Sequence, residues 1–144
     1  MDVISVAIVE DDQGIRDTLV RLLDGAPGFR CLGAFATGEE ALQRLPKLNP
    51  AVVLVDINLP KMSGIDLVAA LKAGETTMQF LVLTVYEDSA KIFQALAAGA
   101  SGYLLKRVPP AKLLEAIREV REGGSPISCS RGERLSDSRF AAPM

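Results

Sequence analysis

The 144-residue chain contains no histidine. That absence removes catalytic triads built on imidazole, zinc sites ligated by histidine, and any role as a phosphohistidine donor. Its two cysteines, Cys31 and Cys129, stand far apart and match no metal-ligand spacing, so no disulfide framework is expected. Basic residues are not in excess. A net charge of −2 leaves no general surface for nucleic acid, whose binding draws on clustered lysine and arginine. No apolar stretch approaches the ~20 residues that span a bilayer, and the N-terminal apolar run lacks a basic flank. Neither a membrane segment nor a signal peptide is therefore expected, and a reducing, cytoplasmic setting is the expectation that follows.

What is present is the composition of an ordinary globular domain, 49% hydrophobic and 24% charged, long enough for one substantial core. The chain is organised around Ala51-Val52-Val53-Leu54-Val55-Asp56. An unbroken, valine-rich apolar run with no polar alternation fits a strand buried on both faces of a parallel sheet. Asp56 ends it, at the carboxyl edge where open α/β sheets place their ligands.

Strand-like and helix-like stretches alternate on either side. Val3 to Val9 reads as a first strand closed by Glu10-Asp11-Asp12, and Ile15, Leu19, Leu22 and Leu23 repeat at helical spacing until Gly25-Ala26-Pro27-Gly28. Phe29 to Phe35 reads as a second strand. Thr37 and Glu40 have capping-box spacing before a helix through Ala41, Leu42 and Leu45, which Pro46 and Asn49-Pro50 are expected to end. After the Asp56 strand and a turn over Pro60 to Gly64, Ile65, Val68 and Leu71 mark a helix ending near Gly74. Phe80 to Thr84 is a fourth strand. Asp88 or Ser89 caps a helix carrying Ile92, Phe93 and Leu96, and Gly102 to Leu105 is a fifth strand. Pro109 and Pro110 suit the first turn of a last helix with Leu113, Leu114, Ile117 and Val120, stopped by Gly123-Gly124. Such alternation calls for a mainly parallel sheet covered on both faces, and right-handed crossovers make it doubly wound.

On that scaffold Glu10, Asp11, Asp56, Thr84 and Lys106 leave the carboxyl ends of parallel strands and share one sheet edge. Acidic groups gathered there repel one another unless a cation joins them. Hard oxygen donors suit Mg²⁺, while a lysine and a threonine beside it can hold phosphoryl oxygens.

Over about residues 3–122 the sequence resembles the receiver domain of two-component response regulators. The resemblance rests on Ile8-Val9-Glu10-Asp11-Asp12, Asp56, Leu59-Pro60 with Met62-Ser63-Gly64, Leu83-Thr84 and Gly102-Tyr103-Leu104-Leu105-Lys106, in that order. Ala100 to Lys106 and Thr84-Val85-Tyr86-Glu87-Asp88 further resemble receivers of LuxR-type (NarL/FixJ) regulators. It implies a (βα)5 flavodoxin-like fold of strand order 2-1-3-4-5, spanning residues 1–122. It also implies that Asp56 accepts a phosphoryl group from a histidine kinase in a reaction needing Mg²⁺ or Mn²⁺, held by Glu10, Asp11, Asp56 and the backbone carbonyl of Asn58. By the same resemblance Lys106 and Thr84 would contact the phosphoryl oxygens, Tyr103 would move with Thr84, Asp12 would be a solvated turn residue, and phosphorylation would promote a homodimer. Such a domain is no enzyme toward other substrates; it catalyses only its own phosphorylation and dephosphorylation.

Two positions depart from the receiver pattern: Val85 stands where many receivers have a small residue, and Arg107 where many have proline. Other classes fit less well. Aspartyl-phosphate phosphatases need an aspartate as general acid two residues beyond the nucleophile, where Asn58 stands. A dinucleotide-binding domain needs a glycine-rich turn after the first strand, where Glu10-Asp11-Asp12 would repel a pyrophosphate. A stand-alone receiver, or a non-phosphorylated scaffold acting by protein contacts, is the alternative within the family. The last stretch, residues 123–144, reads as a flexible, linker-like tail. Cys129 to Met144 is too short for a helix-turn-helix domain, and Glu133 and Asp137 partly cancel Arg131, Arg134 and Arg139. DNA binding by the chain itself is not expected.

Overall fold

A computed structural model describes residues 3–85 and 88–123. Five strands alternate with five helices: β1 (Ile4–Val9), α1 (Gln13–Gly25), β2 (Phe29–Phe35), α2 (Gly38–Leu48), β3 (Val52–Asp56), α3 (Gly64–Ala73), β4 (Gln79–Thr84), α4 (Ser89–Ala98), β5 (Gly102–Leu105) and α5 (Pro110–Arg121). The strands form one sheet of order β2-β1-β3-β4-β5, with every pairing parallel. This is the doubly wound, flavodoxin-like arrangement.

The central strand explains the architecture. All five residues of β3 are buried, because its alternate side chains feed different cores. Val52 and Leu54 face a cluster built with Leu19 and Leu23 of α1 and Leu113, Ile117 and Val120 of α5. Val53 and Val55 face Ala41 and Leu45 of α2 and Leu67, Val68 and Leu71 of α3. Each such side chain taken from water contributes about 1.5–3 kcal/mol, so a polar residue at any of the first four positions would be costly. At the edge, β2 carries a bulge: Val6 pairs with Cys31 but Ala7 with Gly33, leaving Leu32 as the extra residue.

Local signals act largely as expected. Thr37 accepts from the Glu40 N–H at the start of α2, and Asp88 rather than Ser89 caps α4. Three helix expectations are corrected. Ile15, expected on the apolar stripe of α1, is 36% exposed, and Leu19 and Leu23 are the buried residues of that helix. Pro46 does not end α2 but lies inside it. Only Lys47 and Leu48 follow it in the helix, so one backbone bond is lost, while buried Leu45 and the left-handed Asn49, whose N–H donates to Leu45 O, hold the final turn. Phe93 is not on the buried stripe of α4; it is 72% exposed. One residue beyond Ile92 is a 100° rotation, and Ile92 and Ala95 already take the inward face. The sequence beyond Gly123, with its expected linker-like character, lies outside the described residues, as does Tyr86-Glu87.

Candidate phosphoacceptor site

The strand order reverses direction between β1 and β3, since β1 leads outward to β2 while β3 leads the other way to β4. In open parallel sheets this switch point opens a crevice at the carboxyl ends of the two strands. Glu10 follows the last residue of β1, and Asp56 is the last of β3. The crevice is therefore acidic from both sides. Glu10 is 1% exposed and Asp56 2%, and carboxylate oxygens of Glu10, Asp11 and Asp56 all lie within 4.8 Å of one another.

Two backbone donors and one lysine hold these carboxylates. Asn58 N–H donates to Asp56 Oδ1 at 3.0 Å, and Asp12 N–H donates to Glu10 Oε2 at 3.1 Å. Lys106, immediately after β5, bridges the crevice: its Nζ lies 3.0 Å from Asp56 Oδ2 and 2.8 Å from Glu10 Oε1. Burial pushes the Glu10 carboxyl above its ordinary range, and the Asp56 charge adds to this; the Lys106 contact and the Asp12 N–H offset it only in part. For Lys106, burial favours the neutral amine, but its contacts with Glu10 and Asp56 and their charges together outweigh it and raise its pKa. The lysine is an ammonium at neutral pH.

One ammonium thus faces three carboxylates. Glu10 Oε1 is fully buried, and among the described residues its one close polar contact is the Lys106 ammonium. Hard oxygen donors with surplus negative charge suit Mg²⁺ or Mn²⁺, so the residues present fit a divalent ion held by Glu10, Asp11 and Asp56.

The remaining expected residues lie along the same edge. Thr84 is buried at the end of β4, one residue past Leu83, the register partner of Asp56. Lys106 N–H donates to the Thr84 carbonyl at 2.8 Å. Tyr103 is 8% exposed, packed with Ile57, Val82, Ile92 and Ala95 between the sheet and α4. Val85 and Arg107 are exposed, and no described peptide bond, including that after Lys106, is cis. Asp12 is exposed, but it is more than a turn residue: its Oδ1 accepts from Ile15 N–H and caps α1. Beside Lys106, a groove of about 520 Å³ opens between α1 and α5, lined by Ile15, Leu19, Leu105, Val108 and Leu113.

Three contributors were not visible to sequence reasoning as parts of the site. Arg16 of α1 donates to the carbonyls of Glu10 and Asp11. Lys91 of α4 donates to the Asn58 side chain at 3.2 Å, tying α4 to the loop after Asp56. Gly64 starts α3 so close to β3 that a Cβ there would strike the Asp56 carbonyl and Val55. Of these Gly64 already stood in the Met62-Ser63-Gly64 stretch that carries the resemblance, though its close approach to Asp56 did not show there; Arg16 and Lys91 read only as helix-surface cations.

With this geometry in view, comparison with known proteins is direct. The profile of the response regulator receiver domain matches residues 6–118, and the chain belongs to that family. It is 36% identical over 124 residues to the transcriptional regulatory protein DegU of Brevibacillus brevis, covering 86% of this chain and 52% of that one. To UhpA of Salmonella typhimurium it is 35% identical over 136 residues, covering 94% and 68%. A LuxR-family two-component response regulator from Aurantimonas superposes with a TM-score of 0.87 at 27% identity, over 96% of this chain and 99% of that one. The receiver domain of a NarL response regulator from Mycobacterium tuberculosis gives 0.82 at 27%, over 85% and 99%. These relatives are LuxR-family response regulators, and the chain spans about half the length of DegU.

Proposed function

We propose that Asp56 accepts a phosphoryl group from the phosphohistidine of a sensor kinase and that this receiver works as part of a LuxR-type transcriptional regulator. The observation that carries the reading is the Asp56 carboxylate, buried at the switch point and spanned by Lys106 to Glu10. A carboxylate oxygen of Asp56 attacks phosphorus, the bond from phosphorus to imidazole nitrogen breaks, and an acyl phosphate forms. Lys106 then pairs with one phosphoryl oxygen and the Thr84 hydroxyl donates to another. Glu10, Asp11, Asp56 and the Asn58 carbonyl would hold Mg²⁺ or Mn²⁺, which would supply positive charge against the phosphoryl oxygens.

The signal leaves through Thr84 and Tyr103. Tyr103 already packs inward against Ile92 and Ala95, so a bond from Thr84 to the phosphoryl group favours a packing that pre-exists rather than creating one. Residues 1–122 act as the receiver and 123–144 as a tail toward an output. A homodimer forms on phosphorylation, while these 144 residues alone bind no specific DNA. The proposed location is cytoplasmic, where receivers meet their kinases. Among the described residues no helix is long and apolar enough to cross a membrane.

The test is incubation with acetyl phosphate and Mg²⁺. One phosphate, released by hydroxylamine, should appear on the wild type and be absent from Asp56→Asn. Equal labelling of the variant overturns the assignment.

A further inference from the structure

We infer that Arg16 is a positioning residue for the divalent cation, acting through the backbone that carries Glu10 and Asp11. The inference rests on the metal-dependent reading above.

Arg16 is the fourth residue of α1, and helical side chains lean toward the N-terminus. Its guanidinium therefore reaches back beyond the capping Asp12. Nη1 donates to Glu10 O at 2.8 Å and, more weakly, to Asp11 O at 3.3 Å. The sheet ladder no longer serves these carbonyls: Glu10 N–H still pairs with Phe35 O at 2.9 Å, but the β1 strand has ended at Val9. The helix gains nothing from this cation, because its first turns favour negative charge. A local preference overridden beside a site is a sign that the residue serves the site.

The geometry shows what it does there. Glu10 is held at its N–H by Phe35, at its carbonyl by Arg16, and at its carboxylate by Lys106 and Asp12 N–H. Asp11 is exposed, and no described residue bonds its carboxylate. Its aim toward the crevice is set by its backbone, held by Arg16 on one side and the Asp12 cap on the other. Arg16 thus stands behind the carboxylates as outer-shell partners stand behind metal ligands, where substitutions cost about 10–100-fold in affinity. Its charge acts the other way, repelling a cation. That repulsion is solvent-screened and indifferent to coordination geometry.

The two effects separate experimentally. Mg²⁺ demands near-ideal octahedral geometry, whereas Ca²⁺ tolerates irregular ligands. Mg²⁺ and Ca²⁺ are titrated by calorimetry into unphosphorylated wild type, Arg16→Met, Arg16→Lys and Asp11→Asn, with amide shifts of residues 10–12 recorded for each. The expectation is a loss of about tenfold in Mg²⁺ affinity for Arg16→Met, a several-fold smaller loss for Ca²⁺, and incomplete rescue by Arg16→Lys, whose shorter side chain does not reach both carbonyls as Nη1 does. Equal gains for both ions in Arg16→Met would mean that only charge matters, and unchanged affinities would mean no role; either result overturns the inference. If wild type binds no Mg²⁺, the metal-dependent reading itself fails. If Asp11→Asn weakens binding and Arg16→Met does not, only the inference fails. Thermal unfolding without metal identifies a variant that has not folded, and the Mg²⁺ to Ca²⁺ ratio of Arg16→Lys then decides the question.

Discussion

Lys106 Nζ sits 3.0 Å from Asp56 Oδ2, so the carboxylate proposed as phosphoryl acceptor is already paired with the ammonium that would later meet its phosphoryl oxygens. The same ammonium contacts Glu10, and its removal leaves two buried carboxylates uncompensated. Breaking a fully buried pair costs about 3–5 kcal/mol. The Lys106 side chain is 14% exposed, so Lys106→Met should lose less, roughly 2 kcal/mol in metal-free buffer. Mg²⁺ should raise the Tm of the variant more than that of wild type, since no ammonium competes with it. An unchanged metal-free Tm would show that the bridge adds nothing to stability.

Glu10 gives a pH signature. Burial raises its pKa, so the folded chain holds this proton more tightly than the unfolded chain does. Its contribution to stability is fully present below the ordinary value of 4.5 and is lost as pH rises through the folded value. Ionised Glu10 is therefore a cost at neutral pH. Glu10→Gln should raise neutral-pH stability, with the gain fading as pH falls toward 4.5, while weakening Mg²⁺ binding. Lys106 acts at the other end: its raised pKa gives stability present below 10.5 and lost as pH rises through the folded value. Denaturant melts from pH 3 to 11 check both signs.

Gly64 is required by close approach. A Cβ there would meet the Asp56 carbonyl and Val55 Cγ1, and neither backbone nor buried valine can yield cheaply. Gly64→Ala should cost roughly 2–3 kcal/mol and slow phosphorylation of Asp56 by displacing the end of β3. A variant with wild-type Tm and labelling rate would show that α3 can shift freely.

Asp11 and Asp12 should separate into metal and cap. Asp11→Asn is expected to weaken Mg²⁺ binding by about tenfold or more with little change in Tm. Asp12→Ala should cost about 1 kcal/mol of stability by removing the α1 cap, whereas Asp12→Asn, a good cap, should be nearly neutral. The reverse order in Mg²⁺ titrations would mean that the acidic pair is misassigned.

Phosphorylation should be read on α4, β5 and α5. Amide shifts on acetyl phosphate addition are expected at Thr84, Ile92, Ala95 and Tyr103, which join the site to α4. Lys91→Ala should enlarge or redirect the α4 shifts by cutting the link to Asn58, at a stability cost below about 0.5 kcal/mol because the bond is exposed. Shifts confined to α2 would refute this route.

Much of this was legible along the chain because the sheet is parallel. A strand buried on both faces must be uniformly apolar, as Val52 to Val55 are, and a polar residue that ends it must emerge at one edge. Asp56, Thr84, Lys106 and the Glu10-Asp11 pair therefore announced the fold and the sheet edge where the candidate site lies. Pro46 and Phe93 were misleading because local rules see only the helix itself. Whether a lost backbone bond or an outward ring is tolerated depends on what packs against that turn, here buried Leu45 and the inward pair Ile92 and Ala95.

The sequence by itself determined which residues end strands, and hence which chemistry reaches the sheet edge. Hydrophobic periodicity is a local property, and the polar breaks in it are read directly. Only the tertiary structure decided which groups touch: that one ammonium spans Glu10 and Asp56, that Arg16 reaches back to two carbonyls, and that Gly64 leaves no room behind Asp56. Those contacts join residues of different elements. Their distances follow from strand order, helix placement and side-chain reach, none of which is encoded in the spacing of residues along the chain.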